Sequence, residues 1–311
     1  MGERLSRREL LGMRWVWSFG GPSIAELTRR VAREVDRDDV LGRAAQLSFY
    51  FFLSVFPLLI FATSVLGYVL GSDPAMYAKL LEYLRAVMPP SAFDIVATSL
   101  NDVTSRAGAG NISLGLLLAL WSGSAGMDAV ITGLNAAYSV REFRSWWKRR
   151  LLAVALTVVV LVLLVAALLI VLMGGWIGTR LPGWIGQSQS LAWTWMIIQG
   201  IIVLVFMLIV FTVIYLLAPN VKNQRWQAIL PGSVVAFVCW IAGSLGFKLY
   251  LTFFDSYSKT YGALGAIVVL MLWLYLSGVA ILLGGEVNSE IRNAAAAAGA
   301  PEAQRTREDP G

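Results

Sequence analysis

The stretch from Ala44 to Leu70 contains no Asp, Glu, Lys or Arg. As a helix it would extend about 40 Å, which exceeds the ~30 Å hydrocarbon core of a bilayer. Arg43 ends a basic leader directly before this stretch. Because a charge-free segment of this length can cross a membrane, the sequence predicts a first membrane span here that orients the spans after it.

Further apolar stretches follow along the chain, and they predict an all-α polytopic membrane protein with six transmembrane helices. Only 14% of the residues are charged, whereas about a quarter are charged in soluble domains. The predicted organisation is a cytoplasmic leader (1–43), a membrane domain (44–290) and a disordered cytoplasmic tail (291–311). The predicted spans are 44–70, 112–134, 151–176, 191–217, 228–254 and 262–285.

The basic residues are distributed unequally between the two faces that these spans define. Of the 25 Lys and Arg residues, 19 lie in the termini and alternate loops, 5 lie in the opposite loops, and Lys248 lies in a span. This asymmetry is typical of the positive-inside rule and predicts that both termini are cytoplasmic. The basicity therefore reflects topology, and we expect no nucleic-acid partner.

The chain contains no histidine. This excludes a Ser-His triad and removes the commonest metal ligand. The single group of cytoplasmic acids, Asp36, Asp38 and Asp39, lies at the end of a predicted charged helix. We therefore expect no enzyme activity, no metal and no cofactor.

Additional helices are predicted outside the spans. Ser23 is placed as an N-cap, with Glu26 at the capping-box position. Ile24, Leu27, Val31 and Val35 lie on one helical face, which predicts an amphipathic helix on the cytoplasmic membrane surface; the alternative is a charged helix packed against a loop. Within 71–110, two short extracytoplasmic helices are predicted on either side of Pro89 and Pro90.

The first span carries a polar stripe, since Gln46, Tyr50 and Ser54 recur at a spacing of four. These residues either form hydrogen bonds between helices or line a transport path. Pro57 lies near the middle of the span and frees the Leu53 carbonyl, so a kink is expected, which a membrane tolerates if neighbouring helices or polar side chains satisfy the backbone.

Four polar residues in or beside later spans are candidates for a transport path. Asp128 is predicted within the second span, where a carboxylate is costly and is a functional candidate; the alternative is an Asp held by cytoplasmic Arg residues or stabilising the bundle. A transport role predicts that Asp128→Asn abolishes transport. Lys248 either snorkels outward or presents a cation to an anionic group. Glu286 and Asn288 follow the sixth span, and Glu286, like Asp128, is placed to exchange protons.

The loop after the second span concentrates positive charge around the tryptophan pair Trp146 and Trp147. It either attracts anionic lipid headgroups or anchors the interface and enforces topology. The candidate headgroup contacts are Arg141, Arg144, Lys148, Arg149 and Arg150.

Several sequence blocks, in matching order and spacing, resemble the YihY/BrkB family of bacterial inner-membrane proteins. They are LSFYFFLSVFPLL (Leu47–Leu59), WSGSAGMDAVITGLNAAY (Trp121–Tyr138), YGALGAI (Tyr261–Ile267), WLYLSG (Trp273–Gly278) and LLGGEVN (Leu282–Asn288). The resemblance implies a six-helix inner-membrane protein linked to envelope integrity. It also implies an inner-membrane transporter or flippase-like protein for lipids or lipid-linked envelope precursors.

Two other functions are compatible with the sequence. The first is a membrane scaffold that organises envelope machinery without transport, since helices rich in small residues suit a tightly packed bundle equally well. The second is a ribonuclease, an old label of the family, which the scattered acids do not favour. Membrane lipids, anionic ones in particular, and other envelope proteins are the expected partners.

Overall fold

The computed structural model describes residues 22–70, isolated helical positions between 78 and 98, 109–180, 189–221, 224, 226–253 and 263–297. The helices whose bounds it gives are α1 (Ile24–Arg37), α2 (Val40–Leu70), α3 (Ala109–Ala137), α4 (Trp146–Arg180), α5 (Gln189–Leu217), α6 (Trp226–Phe253) and α7 (Ala263–Ala297). The predicted all-α class is confirmed. The two extracytoplasmic helices predicted within 71–110 lie mostly outside the described residues.

The helices α2 to α7 coincide with the predicted spans, although α4 and α7 extend beyond them. Within the described residues, 5 helices are long and apolar enough to cross a membrane, and they are α2, α4, α5, α6 and α7. Helix α3 is not among them, although it is long, and its sequence contains glycines, serines and Asp128. The number of six spans therefore stays a prediction.

The long helices form a closed ring. Each helix from α2 to α7 packs against the next one along the chain, α7 packs back against α2, and α7 also contacts α3. We call the end of this ring where α2, α4 and α6 begin and α3, α5 and α7 end the basic end. Helix α1 lies at the basic end, against α7 and α2.

The buried core lies at the basic end. Buried residues there include Leu47 of α2, Leu134 of α3, Tyr215 of α5, Ile229 of α6 and Leu282 of α7. In the opposite direction, none of the described residues in the following segments is buried: 49–57, 118–123, 157–166, 197–209, 237–251 and 266–273. We call these segments the far half. The buried side chains of the described residues are therefore concentrated at the basic end.

Helix α1 is present where the sequence predicts it, with the Ser23 side chain accepting a hydrogen bond from the Glu26 amide at 3.3 Å. Leu27 and Val31 of its apolar face are buried against Val287 and Ile291 of α7, whereas Ile24 is 70% exposed. Protein contact therefore covers most of the face that the sequence assigned to the membrane surface.

The expectation of disorder over residues 291–311 is wrong for residues 291–297, which continue α7. Ile291 is 0% exposed and Ala295 is 1% exposed. Alanine has the highest helix propensity, and apolar packing at the basic end, with α1 covering Ile291, holds the extension. Residues 298–311 lie outside the described residues.

Candidate functional site

The polar stripe of α2 is used in part for contact between helices. Ser54 Oγ lies 2.7 Å from the Tyr50 carbonyl and 3.1 Å from the Ser122 carbonyl of α3. Gln46 is exposed and Tyr50 is half-buried, so the stripe does not face one environment along its length. The geometry at Ser54 fits the interpretation of hydrogen bonding between helices.

The carbonyl freed by Pro57 finds a partner on α3. Ser122 Oγ donates a hydrogen bond to the Leu53 carbonyl at 3.3 Å, and α2 continues through Pro57 as one helix. A polar side chain of a neighbouring helix thus satisfies the acceptor that proline leaves open. Pro57 consequently contributes to the contact between α2 and α3.

Asp128 forms an ion pair with Arg149 at the start of α4. The Arg149 Nε and Nη2 atoms each lie 2.5 Å from one Asp128 carboxylate oxygen, and Nη2 also donates to Thr132 Oγ1 at 2.8 Å. Helix α3 ends later and α4 begins earlier than predicted, and the ion pair joins Asp128 to the basic segment at the start of α4. The geometry therefore agrees with an Asp held by an Arg of the basic loop, and a transport role for Asp128 stays a prediction.

Lys248 is not brought together with the other candidate residues. It lies exposed on α6 in the far half, about 24 Å along the helix from Gly232 at 1.5 Å per residue. Gly232 lies against Asn288, whose Oδ1 accepts a hydrogen bond from the Gly232 amide at 2.7 Å. Lys248 therefore lies well outside the part of α6 that contacts the candidate residues of α7.

A cluster of polar side chains lies between the ends of α3 and α7. We call it the polar cluster, and it consists of Tyr138, Gln224, Glu286, Asn288 and Arg292. Glu286 is 1% exposed and Asn288 is 2% exposed. Arg292 lies with its Cζ 4.9 Å from the centre of the Tyr138 ring and donates to the Tyr138 carbonyl at 3.1 Å. Gln224 Nε2 donates to the Tyr138 hydroxyl at 3.2 Å.

Burial raises the pKa of Tyr138 to about 12, opposed by the nearby Arg292, so this phenol is a neutral group at physiological pH.

Four buried atoms of the polar cluster have no hydrogen-bond partner: Glu286 Oε1, Gln224 Oε1, Asn288 Nδ2 and Arg292 Nη1. Such groups are rare in native proteins and usually mark a bound water, ion or ligand, or a functional role. The polar cluster thus retains both donors and acceptors that can bind something further.

The surroundings of Glu286 are predominantly acidic. Asp38 and Glu34 from the end of α1 and Glu290 from α7 act on it as like charges, and only Arg43 of α2 opposes them. The pKa of Asp38 is raised by burial and by the neighbouring Glu34, and Arg37 and Arg43 only partly oppose this shift. Among the described salt bridges, none involves Glu286. Glu286 is therefore a buried acid without a paired cation.

Two glycines bring α6 and α7 into backbone contact beside the polar cluster. A Cβ on Gly284 would lie 2.5 Å from the Gly232 carbonyl and would also meet the Tyr215 hydroxyl. A Cβ on Gly232 would meet the Gly284 carbonyl and the Asn288 side chain. The Tyr215 hydroxyl in turn donates to the Ile281 carbonyl at 2.6 Å. This packing fixes the position of the α7 segment that carries Glu286 and Asn288.

The five candidate headgroup contacts separate into different roles. Arg144 donates to the Ala218 and Pro219 carbonyls at 3.1 and 2.9 Å and thereby joins two loops. Arg149 is paired with Asp128, whereas Arg150 lies with its Cζ 4.3 Å from the centre of the Trp121 ring. Arg141 and Lys148 are exposed.

Sequence reasoning found Glu286 and Asn288 but missed Tyr138, Gln224 and Arg292. The sequence holds a weak signal for Tyr138, since it ends the block Trp121–Tyr138 of the family resemblance. No pattern in the sequence indicates that Arg292 returns to the end of α3, because this contact depends on the unexpected extension of α7.

Comparisons with known proteins agree with this architecture. The family model for the virulence factor BrkB matches residues 31–309. The chain belongs to the BrkB family. The ribonuclease-like protein YfkH of Bacillus subtilis is 36% identical over 248 residues, which are 80% of this chain and 88% of that relative.

Other relatives of this BrkB-family chain are named as membrane proteins. A UPF0761 membrane protein of Alkalilimnicola ehrlichii is 28% identical over 275 residues, and the match covers 82% of this chain but 56% of that longer relative. A UPF0761 membrane protein of Vibrio cholerae is 40% identical over 81 residues, or 26% of this chain and 27% of the relative. No solved structure matches the chain. The family and the apolar helices together identify a membrane protein.

Proposed function

We propose that this BrkB-family protein is a proton-coupled transporter or flippase for lipids or lipid-linked envelope precursors. It would act in the bacterial inner membrane with its basic end in the cytoplasm. The observation that carries this proposal is Glu286, a carboxyl group that is 1% exposed and has one oxygen without a hydrogen-bond partner.

A buried, unpaired carboxylate costs free energy, and binding a proton or a cation removes that cost. The described residues contain no group of three or more Cys, Asp or Glu that could hold a metal ion, and a proton is the ligand that one carboxyl oxygen can take alone. Glu286 also lies on α7, which contacts α1, α2, α3 and α6. A change in its charge would therefore act on most of the helices at the basic end.

The far half supports an amphiphilic substrate. Its described residues are not buried, and large apolar side chains such as Leu245 and Val268 are 62% and 56% exposed. In a membrane these side chains would contact lipid tails, which supports the approach of a lipid to the helices there. The packed basic end then closes the path of the lipid on the cytoplasmic side.

The orientation rests on the charge distribution. The excess of Lys and Arg in the termini and alternate loops supports a cytoplasmic basic end, and the two exposed tryptophans Trp146 and Trp147 support an interface at the start of α4. Labelling of single cysteines introduced at Arg33 and in the 71–110 segment, in intact and opened cells, tests this orientation. A residue at position 33 that reacts from outside intact cells would contradict it.

The experiment that tests transport uses purified protein in liposomes of phosphatidylethanolamine and phosphatidylglycerol, with fluorescent phospholipid and glycolipid probes and an imposed pH gradient. We compare wild type with Glu286→Gln and with the control Asp36→Asn, which changes an exposed acid near the end of α1. We expect wild type to move a probe faster than protein-free vesicles in a gradient-dependent way. Glu286→Gln should lose the gradient dependence, and Asp36→Asn should keep it.

A membrane scaffold is the second candidate function, favoured by the close backbone contact of α6 and α7 at Gly232 and Gly284. No movement of any probe by folded wild-type protein would support the scaffold and reject transport. Equal gradient dependence in Glu286→Gln and wild type would support transport but reject proton coupling through Glu286.

The acids of the leader do not support the ribonuclease activity that the name of one relative suggests. The single acidic group of the leader has local structural roles, since Asp38 caps the end of α1 and Asp39 accepts a hydrogen bond from the Gly42 amide at 3.2 Å. Asp36 is exposed. These acids therefore do not converge on one site.

A further inference from the structure

Arg150 lies where α3 and α4 meet, in contact with Trp121. Its Nη2 donates to the Trp121 carbonyl at 2.8 Å, and its guanidinium lies over the Trp121 ring at 4.3 Å from the centroid. A carbonyl and an aromatic face together fix the orientation of the cation without neutralising it. Arg150 is therefore a positioned positive charge.

The acids of this region are already used by other basic residues. Asp128 is paired with Arg149, and Glu142 interacts with Arg144 and Asn135. Among the described salt bridges, none involves Arg150 or Lys148. The start of α4 carries a further partial positive charge from the helix dipole. This surface consequently has an excess of positive charge that the described protein does not compensate.

Large apolar side chains surround this charge. Leu118 lies one turn from Trp121 on α3 and is 56% exposed, and Trp121 itself is 57% exposed. Trp147 and Leu151 lie one turn apart on α4 and are 72% and 70% exposed. An anion that binds here would lie beside an apolar surface, which is the chemistry of a phospholipid at the membrane interface.

We propose that Arg150, held in place by Trp121, binds the headgroup phosphate of an anionic phospholipid, with the acyl chains against Leu118 and Leu151. The guanidinium group supplies charge-assisted donors for phosphate oxygens. Lys148 lies two residues before Arg150 on α4, so it does not share a helical face with Arg150 and contributes only to the positive charge of this surface. The site does not depend on transport, because a lipid bound there would serve a scaffold as well.

Native mass spectrometry of the detergent-purified full chain tests the proposal. The protein is titrated with phosphatidylglycerol and with phosphatidylcholine of the same chain length, as wild type, Arg150→Gln and Lys148→Gln. Arg33→Gln, which removes an exposed arginine of α1, is the matched control. Because a basic residue near a membrane surface contributes about 1 kcal/mol to anionic lipid binding, each test variant should bind phosphatidylglycerol about fivefold more weakly.

Arg33→Gln should bind phosphatidylglycerol as wild type does, and phosphatidylcholine binding should be the same in all variants. Equal phosphatidylglycerol affinity in Arg150→Gln and wild type, with both proteins folded, would overturn the proposal. Because Lys148 is exposed, Lys148→Gln should fold normally, and it tests this surface even if Arg150→Gln does not fold. Complete displacement of phosphatidylglycerol by inorganic phosphate would instead assign the surface to a soluble anion and reject the lipid.

Discussion

The basic end and the far half are built from the same helices but differ in what surrounds the side chains. At the basic end, Tyr215, Leu134 and Ile229 are 0% exposed, and polar side chains join α3, α5, α6 and α7 by hydrogen bonds. In the far half, no described residue of the segments defined above is buried. The difference indicates that, among the described residues, side chains pack most closely at the basic end.

The largest expected effect comes from adding one methyl group at the basic end. Gly284→Ala places a Cβ against the Tyr215 hydroxyl and the Gly232 carbonyl, and overpacking of this kind costs about 3 kcal/mol of unfolding free energy. Gly246→Ala is the matched control in the far half, because nothing lies within 4 Å of its Cβ position. Thermal unfolding in detergent should show a large loss for the first variant and none for the second. Equal unfolding temperatures would remove the distinction between the two regions.

A smaller effect is expected at Asp128. Asp128→Asn weakens the pair with Arg149, whose side chains are 30% and 27% exposed, so the loss of unfolding free energy should be about 1 kcal/mol. A double-mutant cycle with Arg149→Gln isolates the coupling between the two residues. Additive effects in the cycle would show that the pair contributes nothing to stability.

The same Asp128→Asn variant separates the two interpretations of this carboxylate in the liposome assay. A purely structural pair predicts that probe movement continues in folded protein. The sequence-based prediction is that movement is abolished. Loss of movement without loss of stability would place Asp128 in the transport path despite its partner.

The smallest effect is expected at Lys248. Lys248→Gln changes an exposed residue of the far half, and substitutions away from buried features usually alter stability by about 0.5 kcal/mol or less. Thermal unfolding beside wild type measures this directly. A loss comparable to that of Gly284→Ala would mean that Lys248 has a partner that the exposed position does not suggest.

Much of the fold could be predicted because long apolar stretches specify helices by themselves. The positions of α2, α5 and α6 follow from hydropathy, and the start of α1 follows from Ser23 and Glu26. The end of α7 could not be predicted in this way, since Ala294 to Ala297 are small residues whose helix is held by packing at the basic end. Helix propensity favoured the extension, but composition suggested disorder.

The candidate site was predictable only in part. Glu286 and Asn288 could be found because they follow the sixth predicted span and lie in the block Leu282–Asn288 of the family resemblance. Their partners come from the turn after α3 and from the loop before α6, and contacts between such distant segments depend on the closed ring. The pairing of Asp128 with Arg149 could not be assigned from the sequence alone, because hydropathy does not fix where α3 ends and α4 begins.

The contact between Gly232 and Gly284 has a mechanical consequence. Two helices whose backbones touch at glycine cannot slide by one turn past each other without first separating, because the positions one turn away, among them Ala236 and Asn288, carry side chains. Helices α6 and α7 therefore move together. Any rearrangement of the ring must occur at another pair of helices.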